Sequence, residues 1–197
     1  MTKILVIEDE VSVRENLVDL LEANDYEAIC AENGYIGAIW ASEHIPDLII
    51  CDVMMPEVNG HEVLEALRQS PTTAMIPFIF LTAMSDTKSI RKGMELGADD
   101  YLTKPFESID LLKSVEIKLK KKADLEKIQE QRKQGEALSK ILVAVHMLKN
   151  LKPGKQRDNF LKIIGNLCDS EIELLRKTPE LGQILSSEDL NLFLQLR

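Results

Sequence analysis

The sequence predicts an α/β fold over residues 1–122, followed by an all-α extension. In the first part, short apolar runs alternate with segments of helical spacing, and this alternation occurs five times. The run at 47–51 (DLIIC) lies between Pro46 and Asp52, and its apolar stretch is typical of a strand buried on both faces. From residue 108 onward only helical spacing is found. Alternation of this kind predicts a parallel sheet with helices on both faces.

Each predicted element rests on its own apolar pattern. The five strands are short apolar runs at 3–7, 27–30, 47–51, 78–81 and 100–103, the last being the weakest. The helices are predicted at 11–22, 35–42, 60–69, 88–96 and from 108 onward. Along these helices, apolar residues recur at helical spacing. Examples are Val13, Leu17, Leu20 and Leu21 in the first helix; Ile36, Ile39 and Trp40 in the second; Val63, Leu64 and Leu67 in the third; and Leu111, Leu112, Val115 and Leu119 in the fifth.

Polar residues follow four of these strands. In the flavodoxin-like, doubly wound arrangement, the strand order is 2-1-3-4-5, and ligands bind beyond the carboxyl ends of strands one and three. The first strand leads into Glu8 and Asp9, and the third leads into Asp52. This topology therefore brings three carboxylates to one edge of the sheet. The fourth and fifth strands end at Thr82 and Lys104, which completes the rim beside the third strand.

Three carboxylates at one place need positive charge. Two unit charges about 4 Å apart repel by about 4 kcal/mol at an effective dielectric near 20. A divalent cation with oxygen ligands is the usual remedy, so we expect Mg²⁺ as a cofactor. The carboxylates of Asp9 and Asp52 and the backbone carbonyl of Met54 are the expected ligands, with Glu8 bonded to a coordinated water. The ammonium of Lys104 is expected to pair with Asp52.

Such a pocket is suited to placing a phosphoryl group on a carboxylate. Lys104 is then expected to pair with the phosphoryl group, and the Thr82 hydroxyl to donate to one of its oxygens. The small Ala83 leaves room for an incoming phosphodonor. The added charge of about −1.5 to −2 is enough to draw nearby loops toward the pocket.

Four fragments in register carry a family resemblance. EDE after the first strand, DVMMPEVNG around Asp52, LTA after the fourth strand and KPF after the fifth together resemble the receiver domain of two-component response regulators. The resemblance covers residues 2–122. It implies that Asp52 is the phosphoacceptor and that Glu8 and Asp9 are the Mg²⁺ acids, with Asp9 the direct ligand. The implied phosphodonor is a sensor histidine kinase or a phosphotransfer protein.

The resemblance also implies roles on the other side of the pocket. Thr82 is the implied switch hydroxyl and Lys104 the phosphate-binding lysine. Tyr101 occupies the place of an aromatic residue that swings inward when the threonine moves. Pro105 follows an implied cis peptide bond, Lys104-Pro105. The chain is then a signalling protein that catalyses only its own phosphotransfer and dephosphorylation.

Composition favours a soluble, cytoplasmic protein. The chain has 197 residues, of which 45% are hydrophobic and 29% charged. No apolar run approaches the ~18 to 20 residues that span a bilayer, and no signal peptide is expected, so no membrane partner is predicted. Cys30, Cys51 and Cys168 lack metal-like spacing, and the first two are expected in the core. The side chains of Met54 and Met55 are expected to pack within their loop.

Charge divides the chain near residue 118. Residues 1–117 hold 8 Lys and Arg against 22 Asp and Glu, whereas residues 118–197 hold 16 against 11. A shift of this size predicts a domain boundary. We therefore predict a receiver domain at 1–122, a polar helical linker at 123–137, and a small helical output or interaction module at 138–197.

The linker is polar on nearly all sides, apart from Leu125 and Ile128, and Gly135 interrupts it. Such a helix is either a signalling helix that crosses solvent or a coiled coil with a weak seam, and both remain open. The module that follows has a broad apolar face at 138–148 and a turn at 152–154, with further helices after it. About 60 residues bury little by themselves, so we expect this module to dock onto the receiver or to pair between two chains. The predicted partners are a second copy of the chain, as a homodimer, and a downstream protein.

Two other outputs are considered. The basic C-terminal half would suit a DNA-binding transcription regulator, although neither a strand-rich winged helix nor a recognition helix is evident. The segment His146-Met147-Leu148-Lys149 resembles the motif around the phosphorylated histidine of phosphotransfer domains, which would make the chain a phosphorelay intermediate. Asn150 follows where those domains carry a small residue, so we favour a helical histidine without that role. The favoured output is protein interaction or dimerisation.

Overall fold

The computed structural model describes residues 1–83, 87–150 and 155. The chain divides into two units, Met1–Asp124 and Leu125–Arg197, and each is described by itself. Among the described residues, none of the helices combines the length and the apolar character that crossing a membrane requires. The turn at 152–154, the helices predicted after it and Cys168 lie outside the described residues.

The sheet confirms the predicted topology. Its five strands are parallel and lie in the order 2-1-3-4-5. They are β1 (Lys3–Ile7), β2 (Glu27–Ala31), β3 (Leu48–Asp52), β4 (Phe78–Ala83) and β5 (Asp100–Lys104).

Five helices accompany the strands. They are α1 (Val11–Glu22), α2 (Gly34–His44), α3 (Gly60–Arg68), α4 (Thr87–Glu95) and α5 (Ser108–Asn150). Their bounds lie within about two residues of the predicted ones, and side-chain caps explain two of the starts. Asn33 accepts from the backbone N–H of Ile36 at the start of α2, and Asn59 forms a capping box with Glu62 at the start of α3.

Both faces of the sheet are covered, which explains the continuous apolar run of β3. All five residues of that strand are buried, and alternate side chains enter two separate core clusters. One cluster joins Ile49 and Cys51 to Val63 and Leu64 of α3, as well as to Phe78 and Phe80 of the next strand. The other joins Leu48 and Ile50 to Leu17 and Leu21 of α1 and to Leu111 and Val115 of α5.

Two local expectations were wrong, and a third was met only in part. Cys30 packs against the core, but it is only half-buried because β2 is the edge strand of the sheet. The Met54 side chain is 67% exposed and does not pack in its loop, whereas Met55 is buried in the core. Gly135 does not interrupt its helix: α5 continues through it, and outside the adjoining helical backbone no described atom lies within 4 Å of the place a Cβ would take. Trp40, in contrast, packs against the core as expected.

Candidate functional site

The ends of β1 and β3 bring three acidic residues together. Asp52 is the last residue of β3, and Glu8 follows β1 directly, where its backbone N–H donates to the carbonyl of Ala31 at 3.1 Å. Glu8 and Asp52 are buried, whereas Asp9 is exposed. One carboxylate oxygen from each of the three lies within 4.8 Å of the others. We call Glu8, Asp9 and Asp52 the acidic cluster.

Lys104, the last residue of β5, bridges two members of this cluster. Its Nζ lies 2.6 Å from Glu8 Oε2 and 3.1 Å from Asp52 Oδ2. The pair with Asp52 was expected, but the shorter one with Glu8 was not. The sequence predicted that Glu8 bonds to a coordinated water. In the structure Glu8 is only 1% exposed, and a carboxylate buried to that extent needs a cation such as Lys104 beside it. The side chain of Lys104 is 27% exposed, so water screens these pairs only in part.

The ionisation of the pair follows from its surroundings. Burial raises the pKa of Glu8, and the nearby charge of Asp52 raises it further, against the opposing hydrogen bond from Lys104. Burial alone would lower the pKa of Lys104. The hydrogen bond to Glu8 and the charges of Asp52 and Glu8 outweigh it, so that the pKa of Lys104 is raised. The lysine is therefore held as a cation beside Asp52.

Thr82 lies inside β4 rather than after it. The strand continues to Ala83, and Thr82 is fully buried and faces Thr103 in the register of β5. Its hydroxyl is 3.5 Å from the carbonyl oxygen of Ala83, a long and weak hydrogen bond. The Ala83 side chain is exposed at the rim of the sheet. The Thr82 hydroxyl is thus only weakly held within the described part of the chain.

The backbone after Asp52 turns back onto the sheet. Val53 donates to the carbonyl of Leu81 at 2.9 Å, and Gly60 donates to the carbonyl of Val53 at 3.0 Å. The N–H of Met54 lies 3.4 Å from Asp52 Oδ1, at the long end of a hydrogen bond. These bonds keep the Asp52 carboxylate at the edge of the sheet while its loop leaves the core.

Tyr101 lies within β5, and Pro105 directly follows that strand. The Tyr101 ring is half-buried and stacks on Phe80 with a centroid distance of 5.2 Å. Its hydroxyl is buried and has no hydrogen-bond partner in the part of the chain that the structure describes. Burial raises the pKa of Tyr101 to about 12. The peptide bond between Lys104 and Pro105 is cis.

Sequence reasoning missed Arg14, in the first turn of α1. Its Nη1 donates to the carbonyl oxygens of Glu8 at 2.6 Å and of Asp9 at 3.2 Å, so one guanidinium holds the backbone of both acids. The available signal was a basic residue one helical turn into the helix that follows the acidic pair. The side chain of His146 lies outside the residues whose side chains are described.

The acidic cluster has the donor set of a magnesium site. Carboxylate oxygens are the hard ligands that Mg²⁺ prefers, and the ion needs only one or two of them beside water and phosphoryl oxygen. Three carboxylates face one ammonium within the described site, which leaves two negative charges without a partner there. The residues therefore fit a divalent cation, and Asp9 is the member that solvent reaches.

Comparison with known proteins agrees with this geometry. The family model described as the response regulator receiver domain matches residues 4–116. The transcriptional regulatory protein CpxR of Escherichia coli (strain K12) is 34% identical over 192 residues, covering 97% of this chain and 78% of the relative. The DNA-binding dual master transcriptional regulator RpaA of Synechocystis is 37% identical over 121 residues, covering 61% and 50%.

Solved structures show the same fold. A putative response regulator from Chloroflexus aurantiacus is 35% identical, with a TM-score of 0.58 over 60% of this chain and 97% of that one. The chemotaxis protein CheY4 of Vibrio cholerae is 31% identical, with a TM-score of 0.57 over 59% and 97%. The chain therefore belongs to the response regulators of two-component signalling and carries their receiver domain.

Proposed function

We propose that Asp52 accepts a phosphoryl group from a sensor histidine kinase or a phosphotransfer protein, in a reaction that requires Mg²⁺. The acidic cluster carries this proposal, because it gathers three carboxylates within 4.8 Å at the edge where Lys104 also lies. The chain is a signalling protein, and its chemistry is limited to its own phosphotransfer and dephosphorylation.

The transfer forms one bond and breaks another. An oxygen of Asp52 attacks phosphorus, and the P–N bond of the donor phosphohistidine breaks, with the electron pair returning to the imidazole nitrogen. The Nζ of Lys104 is already 3.1 Å from Asp52, so its hydrogens can turn to the phosphoryl oxygens without a large movement. Thr82 then donates its weakly held hydroxyl to a phosphoryl oxygen.

The metal would be held by the carboxylates of Asp9 and Asp52 and by the backbone carbonyl of Met54, with Glu8 bonded to a coordinated water. When bound, Mg²⁺ supplies positive charge against the developing phosphoryl oxygens. Glu8 also holds Lys104 at 2.6 Å, and this bond keeps the lysine in position through the reaction.

The signal then leaves through β5. Movement of the Thr82 hydroxyl toward the phosphoryl group frees space for Tyr101, and β5 and α5 pass the change onward. We infer a receiver domain at 1–122, a polar helical linker at 123–137 and a helical interaction or dimerisation module at 138–197. A homodimer, a downstream protein partner and a cytoplasmic location accompany this proposal.

The central experiment modifies Asp52 with a small donor. Acetyl phosphate with Mg²⁺ is expected to add the mass of one phosphoryl group to the wild type but none to Asp52→Asn, with Asp19→Asn on α1 as a control that reacts normally. Normal modification of Asp52→Asn would contradict the assignment. If the phosphate in that variant is acid-labile, it would instead support a phosphorelay role for His146.

A second function, transcription regulation through DNA, is favoured by one observation. The similarity to CpxR covers 97% of this chain, so it extends beyond residue 116 into the basic half that follows residue 118. Both CpxR and RpaA are transcriptional regulators by name. Binding to a pool of random duplexes, with affinity that falls steeply as salt rises, would support this function. Failure to retain any duplex at low salt would exclude it.

A further inference from the structure

Two glycines enclose the ring of Phe80 in β4. A Cβ at Gly60, the first residue of α3, would lie 2.9 Å from Phe80 Cε1 and would collide with the backbone oxygen of Asp52. A Cβ at Gly93, which is buried in α4, would lie 2.9 Å from Phe80 Cε2 and would collide with the Tyr101 hydroxyl. The two edges of one aromatic ring therefore touch the backbones of two helices.

Tyr101 covers the face of the same ring. The two rings are stacked, with an interplanar angle of 27°, and the Tyr101 hydroxyl reaches the backbone of Gly93. This hydroxyl is buried without a hydrogen-bond partner among the described residues. A buried polar group without a partner costs free energy, so packing alone holds it there. Only a residue without a Cβ leaves this space open.

We propose that Phe80 and Gly93 are positioning residues: Gly93 forms a notch for the Tyr101 hydroxyl, and Phe80 couples the backbone of Asp52 to that notch. The line of contact runs from the Asp52 carbonyl to Gly60, Phe80, Gly93 and Tyr101. Close-packed groups pass on small displacements because no void absorbs them. The coupling rests on the proposed function, since it takes Asp52 as the point where the signal begins.

This route differs from one through Thr82. It leaves Asp52 through the backbone and reaches Tyr101 through packed rings, and it needs no hydrogen bond at any step. Phe80 is fully buried and also lies 4.9 Å from Phe78 and 5.1 Å from His61, measured between ring centroids. The ring is therefore held on several sides, as a coupling element must be.

The notch can be tested in the unmodified protein. In the full chain labelled with 3-fluorotyrosine, the Tyr101 resonance is identified by its loss in Tyr101→Phe, and a soluble gadolinium chelate reports solvent access near the hydroxyl. Gly93→Ala is expected to increase the relaxation of this resonance severalfold, because the added methyl expels the hydroxyl. Gly135→Ala, where no atom of the described residues outside the adjoining helical backbone lies within 4 Å of the new Cβ, is the matched control and leaves the relaxation unchanged. Unchanged relaxation in Gly93→Ala would overturn the notch.

Stability provides a second measurement if Gly93→Ala folds poorly. Tyr101→Phe removes the hydroxyl oxygen that the new methyl group would contact. The double variant Gly93→Ala/Tyr101→Phe is therefore expected to recover most of the melting temperature that Gly93→Ala loses. No recovery in the double variant would likewise overturn the notch.

The coupling is tested after phosphorylation with acetyl phosphate and Mg²⁺, with the extent of modification measured by mass. The Tyr101 resonance is expected to shift on modification of the wild type, and Phe80→Leu is expected to halve that shift at equal modification. Ile79→Val, at a buried position of β4 whose side chain belongs to the opposite core cluster, is the control that keeps the full shift. A full shift in Phe80→Leu would overturn the coupling, whereas absence of modification in the wild type would overturn the proposed function and leave the notch result standing.

Discussion

Lys104 is the residue on which the charge balance of the site depends. Its ammonium is within 3.1 Å of two buried carboxylates, Glu8 and Asp52, and among the described residues it is the one cation paired with them. Breaking a buried ion pair by removing one partner usually costs more than the pair itself contributes, because a charge is left without compensation. The lysine therefore compensates two buried carboxylates, in addition to the phosphate-binding role proposed for it.

Lys104→Met is expected to lower the free energy of unfolding by about 2 kcal/mol at pH 7 in a chelator, less than for a fully buried pair because the lysine is partly exposed. Mg²⁺ should recover part of the loss. The raised pKa of Glu8 means that this acid becomes neutral as the pH falls, so the loss should shrink toward pH 5. Urea unfolding at both pH values measures this, with the exposed Lys120→Met as control. A loss that grows as the pH falls would contradict it.

Arg14 acts on the same site through the backbone. The guanidinium of Arg14 holds the backbone carbonyls of Glu8 and Asp9, so Arg14→Gln should make the positions of both acids less fixed. We expect Mg²⁺ binding to weaken by about tenfold, at the lower end of the range for residues that hydrogen-bond to metal ligands. Titration calorimetry measures the affinity, with the exposed Arg91→Gln as control. Tighter binding in Arg14→Gln would mean that its charge repels the ion more than its hydrogen bonds help.

At the scale of elements, α5 is fastened to the sheet by two acidic residues. Asp100 accepts from Ser114 at 2.7 Å and pairs with Lys118 at 3.0 Å, and Asp47 pairs with Lys122 at 3.0 Å. These bonds lie along one side of the helix, beside the apolar contacts of Leu111 and Val115. The part of α5 that packs on the sheet is thus held at several successive turns.

Asp100→Asn should lower the free energy of unfolding by about 1 kcal/mol at pH 7, since water screens a side chain that is 37% exposed. Burial raises the pKa of Asp100, but the bonds from Ser114 and Lys118 outweigh it, and the pKa is lowered from its ordinary value of 3.8. Because the pKa of Asp100 is lower in the folded state, this carboxylate stabilises the fold at pH values above 3.8. The stabilisation is lost as the pH falls through the pKa of the folded state.

The difference between wild type and Asp100→Asn should therefore be complete at pH 7 and disappear only below pH 3.8. Thermal unfolding from pH 7 to pH 3 measures it, with the exposed Asp110→Asn as control. A difference that disappears well above pH 3.8 would show that Asp100 is not stabilised as an anion.

At the scale of the whole chain, the acidic receiver is joined to a basic remainder by a helix of 43 residues. Several apolar side chains along this helix are exposed, namely Ile109, Ile117, Leu125 and Ile128. Leu125 and Ile128 lie three positions apart, so they share one face of the helix and offer a small exposed apolar contact for another protein.

Phosphorylation should therefore raise the weight-average mass toward that of a dimer, with no change in Asp52→Asn. Sedimentation equilibrium with and without acetyl phosphate and Mg²⁺ measures this. The same mass before and after complete modification would show that the output does not act through the oligomeric state of this chain.

The sequence by itself determined the strand order and the carboxylates at one edge. Apolar runs that alternate with helical spacing permit few topologies, and parallel strands bring their carboxyl ends together. Glu8, Asp9, Asp52 and Lys104 could thus be gathered from spacing alone, because each lies at or next to a strand end.

Only the tertiary structure decided which groups touch. The bond of Lys104 to Glu8, the hold of Arg14 on two carbonyls, and the ring of Phe80 between two glycines all join segments that are distant or turned relative to one another. Periodicity assigns a residue to a face of an element, but a contact also depends on how side chains fill the space between elements. Side-chain packing in the interior is set by the whole folded structure, and it places the Tyr101 hydroxyl against Gly93.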